Sequence, residues 1–154
     1  MYRHFAPTYQ ALSGDGARLF GGRWNPSESF GVVYAAVDVP TVDREFRRAA
    51  AMSRMSRLLP RNLAEIRLDL KKVLDLTRPE VREMLQVSVD DITGDDLTLP
   101  RAIGEAAHHL GIEAIVAPSA AGEGVMVAVF IGNRVAESVI EVVSVGRYRL
   151  NDDV

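Results

Sequence analysis

Residues 13–26 of the chain read SGDGARLFGGRWNP, and residues 31–36 read GVVYAA. Four of the chain's 12 glycines stand in the first segment, and glycine lets a backbone pass close to a ligand. Two of them precede Arg23, whose guanidinium is a rigid fork of donors suited to phosphate or carboxylate. The only tryptophan, Trp24, follows directly. The segment fits a ligand-binding loop in which the glycines leave room for a ligand, with an ordinary surface loop as the alternative.

Composition restricts the class of protein. The 154 residues suit one domain, 1–154, with 47% hydrophobic and 25% charged residues. The net charge of −3 argues against direct nucleic-acid binding. The absence of cysteine excludes disulfides, thiolate metal sites and a cysteine nucleophile. No apolar run approaches the roughly 20 residues of a membrane span, and no signal peptide is visible, so we expect a cytoplasmic protein that does not enter a membrane.

Hydrophobic periodicity predicts a mixed α+β fold. Residues 8–30 show no clean period and are predicted as a long ordered loop. Strict strand–helix alternation is missing, which argues against a doubly wound nucleotide fold. Strands are predicted at 2–5, 31–36, 62–70, 73–76, 112–117, 125–131 and 139–145, and helices at 40–57, 77–85, 88–91 and 100–110.

The predicted helix from Pro40 carries a carboxylate on its apolar side. Thr41 is positioned to cap this helix. Helical spacing places Glu45 on one stripe with Val42, Phe46, Ala49, Met52 and Ser53, while most of the arginines fall elsewhere. A carboxylate in that position needs a partner. It is either a site residue or an acid that caps the helix end or pairs with Arg48.

Three further residues allow both a functional and a structural interpretation. Arg3 lies in the first strand and points either to solvent or into a cleft. Both faces of the second predicted strand, 31–36, are expected to be mostly buried. Tyr34 is half-hidden there, and its hydroxyl needs a partner; it is a ligand contact or a core tyrosine bonded to backbone. Ser119 lies where a strand ends, a place that carries either a site residue or a turn former.

A metal site is not expected. Residues 90–96 read DDITGDD but lack the register of a calcium loop, and a solvated turn is the simpler interpretation. His108 and His109 are adjacent, so on a helix they diverge and do not chelate jointly.

Taken together, these residues resemble the RES-domain family, toxins of bacterial toxin–antitoxin pairs named for Arg, Glu and Ser. The resemblance covers nearly the whole chain, and the acidic segment is similar to that of an NAD-degrading subgroup. Its most specific parts are residues 12–18 and 21–26, Val33-Tyr34 and Glu45, and the acidic segment that matches the subgroup is residues 90–96.

The resemblance implies a fold similar to ADP-ribosylating toxins, with two small β-sheets that form an NAD⁺ cleft and helices that flank them. It implies consumption of NAD⁺ by hydrolysis or phosphorolysis of the nicotinamide–ribose bond. A minority branch transfers ADP-ribose to a protein such as phosphoribosyl pyrophosphate synthetase. A non-catalytic nucleotide-binding module is the alternative from another class.

The family's residues correspond to Arg23, Tyr34, Glu45 and Ser119, with Arg3 as an N-terminal arginine. The position after Arg3 is often tyrosine in the family and is His4 here, so that role is not carried over. Glu45 and Arg23 are then expected to be catalytic, and Arg3, Arg23, Tyr34 and Ser119 to bind NAD⁺.

Cleavage of this bond passes through an oxocarbenium-like state, as in glycoside cleavage. A carboxylate near the ribose stabilises the developing cation, and the neutral nicotinamide leaves without a general acid or a metal. The implied partner is an Xre-like helical antitoxin that blocks the active site.

Overall fold

The computed structural model describes residues 1–53 and 60–150, which contain seven strands and five α-helices. The strands are β1 (Tyr2–Phe5), β2 (Val33–Ala36), β3 (Asn62–Asp69), β4 (Val73–Asp75), β5 (Ala114–Pro118), β6 (Val125–Val129) and β7 (Val139–Arg147). The helices are α1 (Asp15–Phe20), α2 (Val39–Met52), α3 (Pro79–Leu85), α4 (Val89–Thr93) and α5 (Thr98–His109). The predicted mixture of helices and strands is confirmed.

The strands of the described ranges form one hydrogen-bonded sheet in the order β4-β5-β6-β2-β1-β3-β7. Neighbours are antiparallel except β4 and β5, which are parallel because α3, α4 and α5 connect them. The expected two separate sheets are not confirmed. Two halves are nevertheless visible, since β1 pairs with β3 along its length and with β2 only through Tyr2 and Ala36.

Strand β2 lies in the middle of the sheet and is covered on both faces. Val33 and Ala35, on one face, are 1% and 2% exposed, and Ala36, on the other, is 1% exposed. Val33 packs with Phe5 and Ile66, whereas Tyr34 packs with Trp24 and its neighbours on the opposite face. The predicted double burial of this strand is confirmed, and its polar Tyr34 must find its partners inside the protein.

Helix α2 begins earlier than predicted, because Asp38 rather than Thr41 is its N-cap. The Asp38 carboxylate accepts a hydrogen bond from the Thr41 N–H at 2.8 Å, and Pro40 suits the first turn because it lacks an N–H. The predicted end near Arg57 lies outside the described residues.

The predicted loop at residues 8–30 contains helix α1, which the sequence pattern did not reveal. The helix is six residues long and none of its residues is buried, so it carries no apolar stripe that periodicity could detect. The loop after it is pressed against α5: a Cβ on Gly104 would lie 1.8 Å from the Trp24 carbonyl oxygen. Glycine at 104 therefore lets α5 approach the Arg23–Asn25 segment.

None of the helices in residues 1–53 and 60–150 has the length and apolarity that crossing a bilayer requires.

Candidate active site

A cavity of about 510 Å³ lies between helix α2, the segment 16–24 and strands β1 and β2. Its size falls within the range of about 300–1,000 Å³ that is typical of ligand pockets. The segments 95–101 and 118–120 complete its walls. The cavity therefore brings together parts of the chain that are far apart in sequence.

Helix α2 contributes part of its predicted stripe to this cavity. Val42, Glu45, Ala49 and Met52 line it, whereas Phe46 packs against Tyr148. Met52 is 62% exposed, because the stripe borders an open cavity there rather than a packed core. This side of α2 is thus a wall of the cavity.

Glu45 is held by the loop that follows β5. Its Oε1 accepts hydrogen bonds from the Ser119 hydroxyl at 2.6 Å and from the Ala120 N–H at 3.1 Å. Ser119 is 4% exposed, and its oxygen also accepts the Ala121 N–H. These donors fix the carboxylate at the cavity wall, and Arg48, the arginine named in the alternative interpretation, pairs with Asp95.

The same loop is fastened to α2 at its far end. Arg44 donates to the Glu123 carbonyl from Nε at 3.0 Å and from Nη2 at 2.7 Å, and the Ser119 N–H donates to the Gly124 carbonyl. Adjacent residues of one helix therefore hold both ends of the loop, which makes the position of Ser119 rigid relative to Glu45.

Arg23 lines the cavity and ties it to the acidic segment. Its Nη1 donates to the carbonyls of Ile92 and Gly94 at 3.2 and 2.7 Å. Burial, followed by the nearby charge of Arg48, lowers the pKa of Arg23, and the charges of Glu45 and Asp95 oppose that shift. Arg23 thus shares one electrostatic environment with Glu45, as a site residue should.

Arg3 faces the cavity and also braces its wall. Its two terminal nitrogens donate to the Ala11 and Ser13 carbonyls at 2.7 and 2.8 Å. Burial, with a smaller effect of Arg61, lowers its pKa to about 10, so the guanidinium stays charged at neutral pH. Arg3 therefore supplies positive charge from a fixed position.

Tyr34 lines the cavity with its ring while its hydroxyl is used inside the protein. The hydroxyl accepts the Trp24 N–H at 2.9 Å and donates to Asn25 Oδ1 at 2.8 Å. Burial raises the pKa of Tyr34 above its ordinary value, so the phenol stays neutral. Tyr34 is therefore bonded to backbone, as the structural interpretation required, and it also lines the cavity; its contact with a ligand stays a prediction.

Glycine at position 22 leaves room for Tyr34, since a Cβ there would lie 2.5 Å from the Tyr34 hydroxyl oxygen. Gly22 and Gly16 both line the cavity, and a Cβ on Gly16 would meet no atom within 4 Å. The expectation that these glycines also leave room for a ligand stays a prediction.

Three charged residues of the cavity were missed as site residues by the sequence argument. Arg48 pairs with Asp95 at 2.5 Å, and Arg101 donates from Nε to the Gly22 carbonyl at 3.0 Å. Arg48 lies three residues after Glu45, a spacing that places both on one helix face and could have identified it. Asp95 and Arg101 have no such signal, because only the tertiary structure brings them to the cavity.

His4 also lines the cavity, and its ring packs against Phe46 and Tyr148 with centroid distances of 4.6 and 5.6 Å. Burial, together with the charges of Arg61 and Arg3, lowers its pKa to about 3. His4 is therefore neutral at physiological pH and contributes shape rather than charge. Within the described residues, no three His, Asp or Glu side chains are grouped to hold a metal ion.

Comparison with known proteins places this geometry in a family. The RES domain model matches residues 1–151. The chain belongs to the RES-domain family. It is 38% identical over 133 residues to proteins named NAD(+) phosphorylase MbcT from Mycobacterium bovis and Mycobacterium tuberculosis, a match that covers 84% of this chain and 72% of theirs.

A solved structure resembles this chain over nearly its whole length. The chain superposes on the crystal structure of the M. tuberculosis MbcT–MbcA toxin–antitoxin complex with a TM-score of 0.83 and 32% sequence identity. The match covers 96% of this chain and 82% of that one. The family resemblance inferred from the sequence is confirmed.

Proposed function

We propose that this RES-domain protein is the toxin of a toxin–antitoxin pair and consumes NAD⁺ by phosphorolysis of the nicotinamide–ribose bond. The observation that carries the proposal is the Glu45 carboxylate, fixed by Ser119 and Ala120 at the wall of a 510 Å³ cavity beside Arg23. The similarity to proteins named NAD(+) phosphorylase supports this choice of substrate and acceptor.

Glu45 is the proposed catalytic carboxylate. As the bond between ribose and nicotinamide lengthens, positive charge develops on the ribose, and a fixed carboxylate stabilises it without reorganising. The bonding electron pair goes to the nicotinamide nitrogen, which leaves neutral. No general acid or metal ion is needed for that departure, and we expect activity to persist with a chelator present.

The arginines suit the pyrophosphate. Arg3 and Arg23 are both held by main-chain carbonyls, which leave their positive charges uncompensated and their positions fixed. A guanidinium preorganised in this way binds phosphate oxygens at little entropic cost. Because the charge of Glu45 acts on Arg23, Arg23 is also the proposed catalytic arginine. The Tyr34 ring is proposed to pack against the nicotinamide ring.

In phosphorolysis an oxygen lone pair of inorganic phosphate forms the new bond to the ribose carbon that nicotinamide leaves. The products are nicotinamide and ADP-ribose phosphorylated at that carbon. The test is incubation of the purified chain, free of antitoxin, with NAD⁺ and with or without phosphate, followed by chromatography. Phosphate-dependent formation of both products is expected, and intact NAD⁺ under every condition would overturn the proposal.

Incubation of the chain with labelled NAD⁺ and cell lysate tests whether a cellular protein, rather than phosphate, accepts the ADP-ribose. A discrete labelled protein band, in place of small-molecule products, would indicate mono-ADP-ribosyl transfer instead. The chain's relatives carry the phosphorylase name, so we expect no such band.

The fold comparison supports a protein partner, because the similar structure is a toxin–antitoxin complex. We infer that the antitoxin of this chain is a helical, Xre-like protein that covers the cavity mouth. We further infer a single RES domain of the ADP-ribosyltransferase type, acting on the cytoplasmic NAD⁺ pool. Co-expression with the neighbouring reading frame, followed by an NAD⁺ assay of the complex, tests the first inference, since a blocked cavity predicts an inactive complex.

A further inference from the structure

The cavity holds more positive charge than NAD⁺ can neutralise. Among the described residues that line it, four arginines face two carboxylates, which leaves two positive charges in excess. NAD⁺ brings two negative charges on its pyrophosphate and one positive charge on its nicotinamide. One positive charge on the wall stays unmatched, and an unmatched charge away from bulk water is costly. The imbalance points to a second anion in the same cavity.

Three of the four arginines are tied to main-chain carbonyls. Arg3 is held by two carbonyls of the segment before α1, Arg23 by the carbonyls of Ile92 and Gly94, and Arg101 by the Gly22 carbonyl. These bonds fix the guanidinium groups on ordered segments. Guanidinium groups in fixed positions suit the pyrophosphate of NAD⁺, which binds in the same place in every turnover.

Arg48 is held differently, by an anion. Its Nη2 lies 2.5 Å from Asp95 Oδ1, and the Asp95 side chain is 84% exposed whereas that of Arg48 is 26% exposed. An ion pair with so exposed an acid contributes at most about 1 kcal/mol, so another anion can replace the carboxylate readily. The Asp95 carboxylate occupies the place that phosphate oxygens would take.

Arg48 is also close to the reacting end of the site. It follows Glu45 by three residues on α2, and residues at that spacing have Cβ atoms roughly 5–6 Å apart on one helix face. Its charge acts on Arg23 together with the charges of Glu45 and Asp95. An anion on Arg48 would therefore lie beside the carboxylate that stabilises the ribose cation.

We propose that Arg48 binds the inorganic phosphate that attacks the ribose, in exchange for the Asp95 carboxylate. This inference rests on the proposed function and adds the site of its second substrate. One phosphate oxygen donates its lone pair to the ribose carbon, and the electron pair of the broken bond leaves with nicotinamide. Arg48 holds the remaining phosphate oxygens, and its positive charge offsets the repulsion between the phosphate and the neighbouring Glu45 carboxylate.

The experiment measures KM for phosphate and for NAD⁺ separately, in phosphate-free buffer to which inorganic phosphate is added. Arg48→Gln is expected to raise KM for phosphate at least about tenfold, the loss typical of one charged hydrogen bond, and to change KM for NAD⁺ less than about threefold. Arg48→Lys, which keeps the charge but not the fork, is expected to give an intermediate KM for phosphate. The control is Arg67→Gln, which breaks the exposed pair with Glu141 on the sheet and should change neither constant.

Asp95→Asn tests the proposed exchange by changing the carboxylate that pairs with Arg48 rather than Arg48 itself. Because it removes the competing anion, KM for phosphate is expected to fall about threefold. It also covers the case in which Arg48→Gln fails to fold, since Asp95 is exposed.

The site is overturned if Arg48→Gln leaves KM for phosphate unchanged, if it raises both constants equally, or if Asp95→Asn raises KM for phosphate. NAD⁺ consumption by the unaltered chain at a rate independent of phosphate would overturn the site and leave NAD⁺ cleavage standing. Absence of any NAD⁺ consumption by the unaltered chain would instead refute the proposed function itself.

Discussion

Two glutamates of this protein accept hydrogen bonds from loop N–H groups, and their surroundings give them different roles. Glu113 is fully buried; its Oε2 accepts the N–H groups of Lys71 and Lys72 at 2.7 and 2.9 Å, and its Oε1 accepts that of Val135 at 3.1 Å. Glu45 is half-buried at the cavity wall, and within the described residues hydrogen bonds reach only its Oε1.

The comparison shows how a fold assigns one residue type to two tasks. A carboxylate whose two oxygens are both occupied by backbone has nothing left to offer a ligand, so Glu113 joins three segments of chain. A carboxylate fixed through one oxygen keeps its charge and, among the described residues, a second oxygen that accepts no hydrogen bond; Glu45 is such a carboxylate and lines the cavity. Glu45 is therefore suited to chemistry, and each of the following changes tests this division.

The largest effect is expected from Glu45→Gln. The amide keeps an oxygen for the donors of Ser119 and Ala120 but loses the charge that stabilises the ribose cation. We expect NAD⁺ cleavage to fall by roughly 10²–10³-fold, with the free energy of unfolding changed by less than about 1 kcal/mol. NAD⁺ loss and denaturant unfolding measure the two quantities. Glu105→Gln, on the exposed side of α5, is the control, and undiminished cleavage by Glu45→Gln would remove Glu45 from the mechanism.

Glu113→Gln is expected to lower stability and to leave NAD⁺ cleavage unchanged, the reverse of Glu45→Gln. Its amide nitrogen must face a backbone N–H donor where an oxygen stood, so we expect a loss of about 3 kcal/mol in the free energy of unfolding. Cleavage per folded molecule should stay near that of the unaltered chain, because Glu113 is not among the residues that line the cavity. Unchanged stability in urea unfolding would contradict the structural role.

The dependence of stability on acid pH tests the same residue, Glu113. Burial alone would raise the pKa of Glu113, but the hydrogen bonds that its carboxylate accepts lower it to about 2, against an ordinary value of 4.5. A lowered folded-state pKa means that the stabilisation is complete above pH 4.5 and is lost as the pH falls toward 2. Unfolding free energies measured across this window should fall more steeply for the unaltered chain than for Glu113→Gln. Parallel curves would show that Glu113 contributes nothing to acid sensitivity.

The smallest effect is expected from Ser119→Ala. It removes the hydroxyl donor to Glu45 while the Ala120 N–H remains, so the carboxylate is held less firmly but keeps its charge. We expect kcat to fall about tenfold, KM for NAD⁺ to change less than about threefold, and stability to fall by about 1 kcal/mol. Ser144→Ala is the matched control, since that serine also donates to a glutamate, Glu65, at an exposed position. A selective rise in KM for NAD⁺ would instead make Ser119 a substrate contact.

Local patterns account for the elements that the sequence predicted well. The apolar run around Val33 places apolar side chains on both faces of a strand and so predicted burial on both faces. The helical stripe of α2 predicted that Glu45 lies on its apolar side. Both predictions follow from the fixed periods of strand and helix. Helix α1 escaped detection because none of its residues is buried. The cap at Asp38 was missed because Thr41 is an equally good capping residue in sequence terms.

Long-range contacts explain what the sequence could not predict about the site. Asp95 is one of four acids in a short polar segment, and nothing local distinguishes the one that reaches Arg48 across 47 positions. Glu113 precedes a buried strand without any pattern that marks it, because its donors at 71, 72 and 135 approach only in the folded chain. Tyr34 presented two alternatives; the fold confirms the hydrogen bond of its hydroxyl to backbone and places the residue at the cavity, where its contact with a ligand stays a prediction.

The sequence by itself determined the family, through its motifs, and the mixture of helices and strands, through the local periods of those elements. The resemblance to the family proposed Arg23, Tyr34, Glu45 and Ser119 as site residues. Only the tertiary structure decided that Ser119 holds Glu45, that Gly22 makes room for Tyr34, and that Arg48 lies in the cavity paired with Asp95. Those are distances between segments far apart in the chain. Such distances depend on how the sheet, α2 and the loops pack together, and no local period encodes them.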